Sequence, residues 1–261
     1  MARPFSAGTV TAYDLLVSYA REERAALAAL LDETGPDGPT LCEGWQTSDL
    51  AAHLVLRERR PDAAVGVLGG PLAGHTARVQ RGYLSRYSYP ELVALFRSGP
   101  PRLSPFAIPA ADEAANAVEF FVHHEDVRRA VEGWTERPLD EGLTALLWKR
   151  LKGMRLLLRS APTGLVLARE DDGKLDLIVA KNTVRSGTGS SGTTVAVPDT
   201  ESSANAGSSP GAGSPANAGL SVTVTGSPAE LTLWAMGRGR AAHVTLDGQQ
   251  AAIAKLAAWR S

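Results

Sequence analysis

The sequence predicts an all-helical first half, built as an up-and-down bundle, followed by a smaller α+β domain. Three observations predict it. Apolar residues recur at helical spacing from Thr9 to Arg159. Gly- and Pro-rich breakers cut that stretch into segments with short connections, as antiparallel neighbouring helices require. After Gly164 the period changes to strand-like runs.

The first helix is expected from Thr9 to Leu31, with Thr9 or Thr11 as cap and Leu15, Leu16, Tyr19, Leu27 and Leu30 on one stripe. Gly35-Pro36-Asp37-Gly38-Pro39 ends it. A second helix starts near Thr47 or Ser48, with Asp49 in the first turn where the helix dipole favours an acid. It carries Leu50, His53, Leu54 and Leu56, and Pro61 kinks or stops it. Leu72 to Arg86 and Tyr89 to Ser98 read as two shorter helices, closed by Gly99-Pro100-Pro101. A long helix opens at Asp112-Glu113 and runs through Arg129 to Glu132. Asp140 to Arg159 is one more.

Gly164 to Arg169 and Lys174 to Ala180 then read as a hairpin around Asp171-Asp172-Gly173. Leu220 to Thr225 alternates as a third strand. Pro228 to Met236 is a helix with Ser227 as N-cap and Pro228 at its first position. His243 to Leu246 is a fourth strand and Gln249 to Trp259 a final helix. Ser186 to Gly219 is rich in Gly, Ser, Ala, Asn and Pro, and cannot bury enough surface to offset its ordering entropy. It reads as a disordered insert in a strand connection, with Thr193 to Val197 as a possible edge strand. The expected division is a bundle over 1–135 and an α+β domain over 136–261, with the insert at about 186–219.

Composition narrows the function classes. The 261 residues include 27 Lys+Arg against 28 Asp+Glu, a net charge of −1. No basic stripe points to nucleic acid or to an anionic membrane. No stretch approaches the roughly 18 apolar residues of a membrane helix. Met1 to Gly8 lacks a basic region followed by a long apolar run, so no secretory leader is expected. Cys42 is the only cysteine, which rules out a disulfide framework and suits a reducing cytoplasm.

The residues that carry chemistry sit on the long helix. Glu119 and His123, four apart, share one helical face. With His53 from the second helix they make a candidate site of two histidines and one glutamate with an open position, the ligand set of a catalytic zinc. Asp126, three residues after His123, is a candidate acceptor for that imidazole, or else an ion-pair partner of Arg128 or Arg129. His124 points about 100° away from His123, toward the surface, or else serves as a fallback ligand. His75 and His243 have no evident partners. A Glu-x3-His pair also arises as a weak partnership on solvated helices, and His53 alone can be a satisfied core histidine.

Two stretches add a resemblance. Thr40-Leu41-Cys42-Glu43-Gly44-Trp45 leads into Asp49-Leu50-Ala51-Ala52-His53-Leu54, and Glu119-Phe120-Phe121-Val122-His123-His124-Glu125-Asp126-Val127-Arg128-Arg129 follows later. This pattern resembles the mycothiol-dependent maleylpyruvate isomerase family, within the DinB-like metal-binding helical bundles, and its fuller signatures are similar to an actinobacterial branch. The resemblance spans about the first 135 residues. Val224 to Leu231 through Gly237-Arg238 is similar, less specifically, to a sterol-carrier-like second domain. The resemblance implies that His53, Glu119 and His123 are metal ligands, and that mycothiol binds a zinc ion as thiolate to react with an electrophilic substrate. Arg57, Arg60, Arg128 or Arg238 are then candidates to hold a carboxylate, with Arg238 favoured. Trp45 is expected to pack, with the Gly44 turn setting the approach to the second helix. Cys42 is expected as a small buried residue rather than a nucleophile. Two other readings use the same residues: a metal-dependent hydrolase, and a non-catalytic carrier with a structural metal.

Overall fold

The computed structural model describes residues 18–64, 73–171, 174–181 and 221–259. Helices α1 (Tyr19–Thr34), α2 (Thr47–Arg59), the single turn α3 (Pro61–Ala64), α4 (Ala73–Arg86), α5 (Tyr89–Arg97) and α6 (Pro109–Arg128) form the bundle. Helix α7 (Glu141–Met154) leads into strands β1 (Gly164–Asp171), β2 (Lys174–Lys181) and β3 (Ser221–Thr225). Helix α8 (Pro228–Ala235), strand β4 (Thr245–Asp247) and helix α9 (Gln250–Trp259) complete the second part. The architecture is therefore a helical bundle plus a small α+β unit. Among the described residues no helix is long and apolar enough to cross a membrane.

Local chemistry accounts for the element ends. Glu113 of α6 accepts from the Ser18 hydroxyl and the Ala20 N–H, so a carboxylate from another helix caps α1. Asp49 closes the start of α2 through the Gln46 N–H at 3.1 Å, and Glu91 does the same for α5 through the Ser88 N–H at 2.7 Å. Pro61 stops α2 and opens α3. Pro109 starts α6 earlier than the acidic pair at 112–113 suggested, because proline is preorganised for a first helical position. Ser227 caps α8, accepting from the Glu230 N–H.

Three expectations need correction. The helix foreseen over Asp140 to Arg159 ends at Met154, and a 3-10 turn covers Leu157–Ser160. That tighter turn lets Leu158 and Ala161 both enter the core of the second part. The fourth strand is Thr245–Asp247 and excludes His243, whose N–H is drawn to Glu230 Oε2 at 2.7 Å instead. The helix foreseen through Glu132 stops at Arg128. The expectations for Thr9 to Val17, Leu72, the turn residues Asp172 and Gly173, the Ser186–Gly219 insert, the Thr193–Val197 edge strand and Leu220 lie outside the described residues.

The sheet order is β2-β1-β3-β4. β1 pairs antiparallel with β2 and parallel with β3, and β3 pairs antiparallel with β4. Its inner face, Leu165, Leu167, Val222 and Val224, packs under Trp148, Leu151, Leu231 and Trp234. The bundle has its own core of Leu27, Leu31, Leu50, Leu54, Phe96 and Phe120. A third cluster joins the two: Phe121 and Val122 of α6 meet Leu143 and Leu147 of α7 and Leu233 of α8. Helix α6 is thus covered on both sides, and Phe120 to Val127 are all buried although four of them are polar or charged.

Charge also crosses this seam. Arg129 donates to Glu125 Oε2 at 2.7 Å and to both carboxylate oxygens of Glu230 at 2.9 and 2.6 Å, and its guanidinium stacks over Trp134 at 4.3 Å. Arg129 and Glu230 are only 2% and 3% exposed in their side chains. Removing one partner leaves an uncompensated buried charge. The substitution Arg129→Ala is expected to cost about 3–5 kcal/mol of stability, read from urea unfolding.

Candidate metal centre

The loop before α2 sets the centre. Gly44 turns the chain at φ +74°, and the Leu41 N–H donates to the Asp126 carbonyl at 3.0 Å, tying the loop to the end of α6. Trp45 then packs its ring at 5.0 Å from that of His53. Helix α2 buries Leu50 and Leu54 in the bundle core, and His53 shares the buried side with them at 2% exposure. Glu119 and His123 project from α6 one turn apart. The structure brings these three sequence-predicted residues together.

Their atoms converge on one point. Glu119 Oε1 lies 3.4 Å from His53 Nε2 and 3.0 Å from His123 Nε2. The three ligand atoms all fall within 4.8 Å of one another. Ligands at about 2.1 Å on a tetrahedral ion sit roughly 3.4 Å apart. The donor set and its spacing therefore fit a divalent ion such as zinc without rearrangement of α2 or α6.

The neighbours of the triad orient it. His123 Nδ1 donates to Asp126 Oδ2 at 2.8 Å, so Nε2 is the nitrogen turned toward Glu119 and His53. Asp126 is in turn held by Arg238 of the second part, Nε to Oδ1 at 2.8 Å and Nη2 to Oδ2 at 2.6 Å. The arginine partner foreseen for Asp126, Arg128 or Arg129, is instead Arg238. Arg128 and Arg129 both bind Glu125. Arg57 Nη1 reaches Glu119 Oε1 at 2.9 Å, and its Nη2 donates to Asn116 Oδ1 at 3.2 Å. Arg60 is turned away, paired with Asp62. Of the four arginines weighed as carboxylate holders, Arg57 and Arg238 line the site.

Protonation follows from this arrangement. Burial pushes His53 down to about 4, against the hydrogen bond it gives to Glu119. Burial also opposes charge on His123, yet its bonds to Asp126, Cys42 and Glu119 hold it well above the usual histidine range. Burial would raise Glu119, but His123 and His53 hold it well below the usual carboxylate range. Without a metal the centre is an imidazolium between two carboxylates, with a neutral imidazole beside it.

Four side chains stand elsewhere than the sequence suggested. Cys42 is half-buried rather than packed away: its thiol faces Asp126 Oδ2 at 3.2 Å, with His123 Nδ1 at 3.9 Å and Arg238 Nη2 at 3.5 Å. Only the fold reveals this, because its neighbours come from segments distant in sequence. His124 is buried, not at the surface, and Glu23 of α1 receives it at 3.2 Å. His243 and His75, left without partners by the sequence, contact Glu136 and Asp62.

The triad opens into a cleft of about 900 Å³ between the two parts of the chain. The bundle supplies Cys42, Trp45, Arg57 and Val122 to its wall, and the second part supplies Met236 to Ala241. His53, Glu119 and His123 all line this cleft.

Residues 17–142 match the family model described as the mycothiol maleylpyruvate isomerase N-terminal domain. No curated protein and no solved structure matches the chain.

An imidazole-resolved NMR titration of the metal-free protein tests the electrostatics. At pH values between about 4 and 6.5, His53 is expected neutral and His123 charged. A His53 resonance that titrates near 6.5 contradicts this.

Proposed function

We propose that this chain, whose residues 17–142 belong to the mycothiol maleylpyruvate isomerase N-terminal domain family, binds one zinc ion through His53, Glu119 and His123 and serves as a mycothiol-dependent transferase or isomerase. The observation that carries the proposal is the convergence of two imidazoles and one carboxylate on a point whose remaining side opens to the cleft. A zinc ion with those ligands keeps one net positive charge and favours an anionic fourth ligand, so it supplies a thiol in its reactive thiolate form at neutral pH.

The chain's own residues do the rest. Asp126 keeps the proton on Nδ1 of His123 and leaves Nε2 free to ligate. Arg238 fixes Asp126 with two of its donors and sends a third to the Met236 carbonyl. It is therefore foremost a positioning residue, while its position in the wall lets it present charge to an anionic ligand. Arg57 balances Glu119. Trp45 and Val122 give the wall an apolar side. At about 900 Å³ the cleft falls within the range of ligand pockets, roughly 300–1,000 Å³, and near its upper end. It has room for a sugar-bearing thiol and a small electrophile side by side, which a transfer or an addition–elimination isomerisation requires.

The other two readings draw less support. Hydrolysis needs a carboxylate or histidine free to act as base. Glu119 and Asp126 are each engaged by two or more neighbours, including a guanidinium. A carrier needs a cavity within the second part, whose interior is filled by Leu151, Leu165, Leu231 and Trp234. We take 1–135 as the metal-binding unit and 136–261 as the unit that closes the cleft. The lone half-buried thiol, Cys42, suits a reducing cytoplasm.

Elemental analysis of purified protein is the direct test of the ligands. Wild type is expected to hold one zinc per chain, and His53→Ala and Glu119→Ala to lose it. Asp126→Asn is expected to weaken metal affinity about 10–100-fold while leaving the ligand set intact. Unchanged zinc in the two alanine variants ends the proposal.

The pH dependence has a defined sign. A metal must displace the Nε2 proton of His123, whose retention extends above pH 6.5, whereas His53 competes only near pH 4. Below the His123 pKa, metal affinity is expected to fall about tenfold per pH unit, with one proton released per ion in calorimetry. A pH-independent affinity between pH 5 and 7 contradicts the role given to His123.

A further inference from the structure

A second, smaller cleft of about 320 Å³ lies away from the metal centre, at the C-terminal end of α2 and along α4. Its cations are Arg60, Arg78 and Arg86, with Tyr83 and Tyr87 beside them. Arg78, Gly82 and Arg86 are four residues apart and so form one stripe of α4. Tyr83 and Tyr87 form the adjoining stripe, their rings stacked at 5.8 Å.

Three features distinguish this cleft from an ordinary solvated helix face. Its charge is uncompensated: Arg60 is bound by Asp62, but among the described residues no carboxylate pairs with Arg78 or Arg86. Arg86 rests over the Tyr87 ring at 5.5 Å, and the charges of Arg60, Arg59 and Arg86 all act on the Tyr83 hydroxyl. This concentration of positive charge sits on a chain of net charge −1. The floor is bare: a Cβ built on Gly82 meets nothing within 4 Å, so no packing demands a glycine there. A glycine in a helix interior is destabilising, and here its effect is to leave the backbone flat between two guanidinium groups. Finally, the cleft is concave and small, unlike the extended basic stripe that a nucleic acid or a membrane surface uses.

We propose that Arg78 and Arg86, across the bare floor at Gly82, form a binding site for a small multiply charged oxyanion. A guanidinium matches the oxygens of such a group in bidentate fashion, and two of them four residues apart can share one ligand. Phosphoryl and polycarboxylate molecules both present this chemistry. The tyrosines give the site an apolar, aromatic side against which the body of such a molecule can lie. The site is separate from the metal centre and does not depend on the function proposed there.

Isothermal titration at constant ionic strength tests it, with inorganic pyrophosphate in one arm and citrate in the other. Wild type, His53→Ala, Arg78→Ala/Arg86→Ala and Gly82→Leu proteins are compared after circular dichroism and thermal unfolding show that each is folded. Arg78 and Arg86 are exposed, so their double variant is expected to keep the fold. Saturable binding of one anion per chain is expected in wild type and in His53→Ala alike, which separates this site from chelation at the metal centre. The double variant and Gly82→Leu are expected to bind at least tenfold more weakly. Tighter binding of pyrophosphate identifies a phosphoryl ligand, and tighter binding of citrate a polycarboxylate. Absence of saturable binding in both arms overturns the proposal. So does full affinity in either the double variant or Gly82→Leu, or loss of binding in His53→Ala.

Discussion

The hydrogen bond between His123 Nδ1 and Asp126 Oδ2, 2.8 Å long and shielded from water, is the constraint on which the site depends. It commits one nitrogen of the imidazole and thereby aims the other at Glu119 and His53. Asp126 can play this part only as a carboxylate. Burial opposes that charge, and the bidentate guanidinium of Arg238 together with His123 overcomes the opposition. Arg238 follows α8 in the second part of the chain, so the geometry of a centre built on the bundle is held by a residue more than a hundred positions downstream. The two parts form one functional unit for that physical reason.

Charge in the metal-free centre is already arranged as a cation would need it. Glu119 and Asp126 face Arg57, Arg238 and a protonated His123. The proton on His123 Nε2 and the guanidinium on Glu119 Oε1 occupy the positive side of the arrangement. A divalent ion held by His53, Glu119 and His123 would take the place of that proton, so the site would gain one positive charge rather than two.

Much of this was legible in the chain itself, and the failures share a cause. The Glu-x3-His spacing, the Gly-Trp turn before α2, the acid at Asp49 and the cap at Ser227 are local features, and local rules predict them. His124 was assigned to the surface because helical geometry turns it away from His123. It is buried, with Glu23 of α1 presented on that side, which no periodicity reveals. Cys42 lacks a neighbouring base in sequence, yet its thiol meets His123 and Asp126 of α6 and Arg238 after α8, all distant in the chain. The parallel pairing of β1 with β3 is likewise a long-range fact, and the turn after Met154 answers to the burial of Leu158 in a core formed by later strands.

The position of Cys42, 3.9 Å from the imidazole of His123, makes the identity of the fourth ligand the sharpest question for the proposed centre. X-ray absorption at the zinc edge, with and without added mycothiol, answers it most directly. The expected result for the thiol-free protein is a shell of nitrogen and oxygen only, and after addition a single sulfur at about 2.3 Å. A sulfur neighbour already present without added thiol, or a shell that mycothiol leaves unchanged, contradicts an open position that takes an external thiolate.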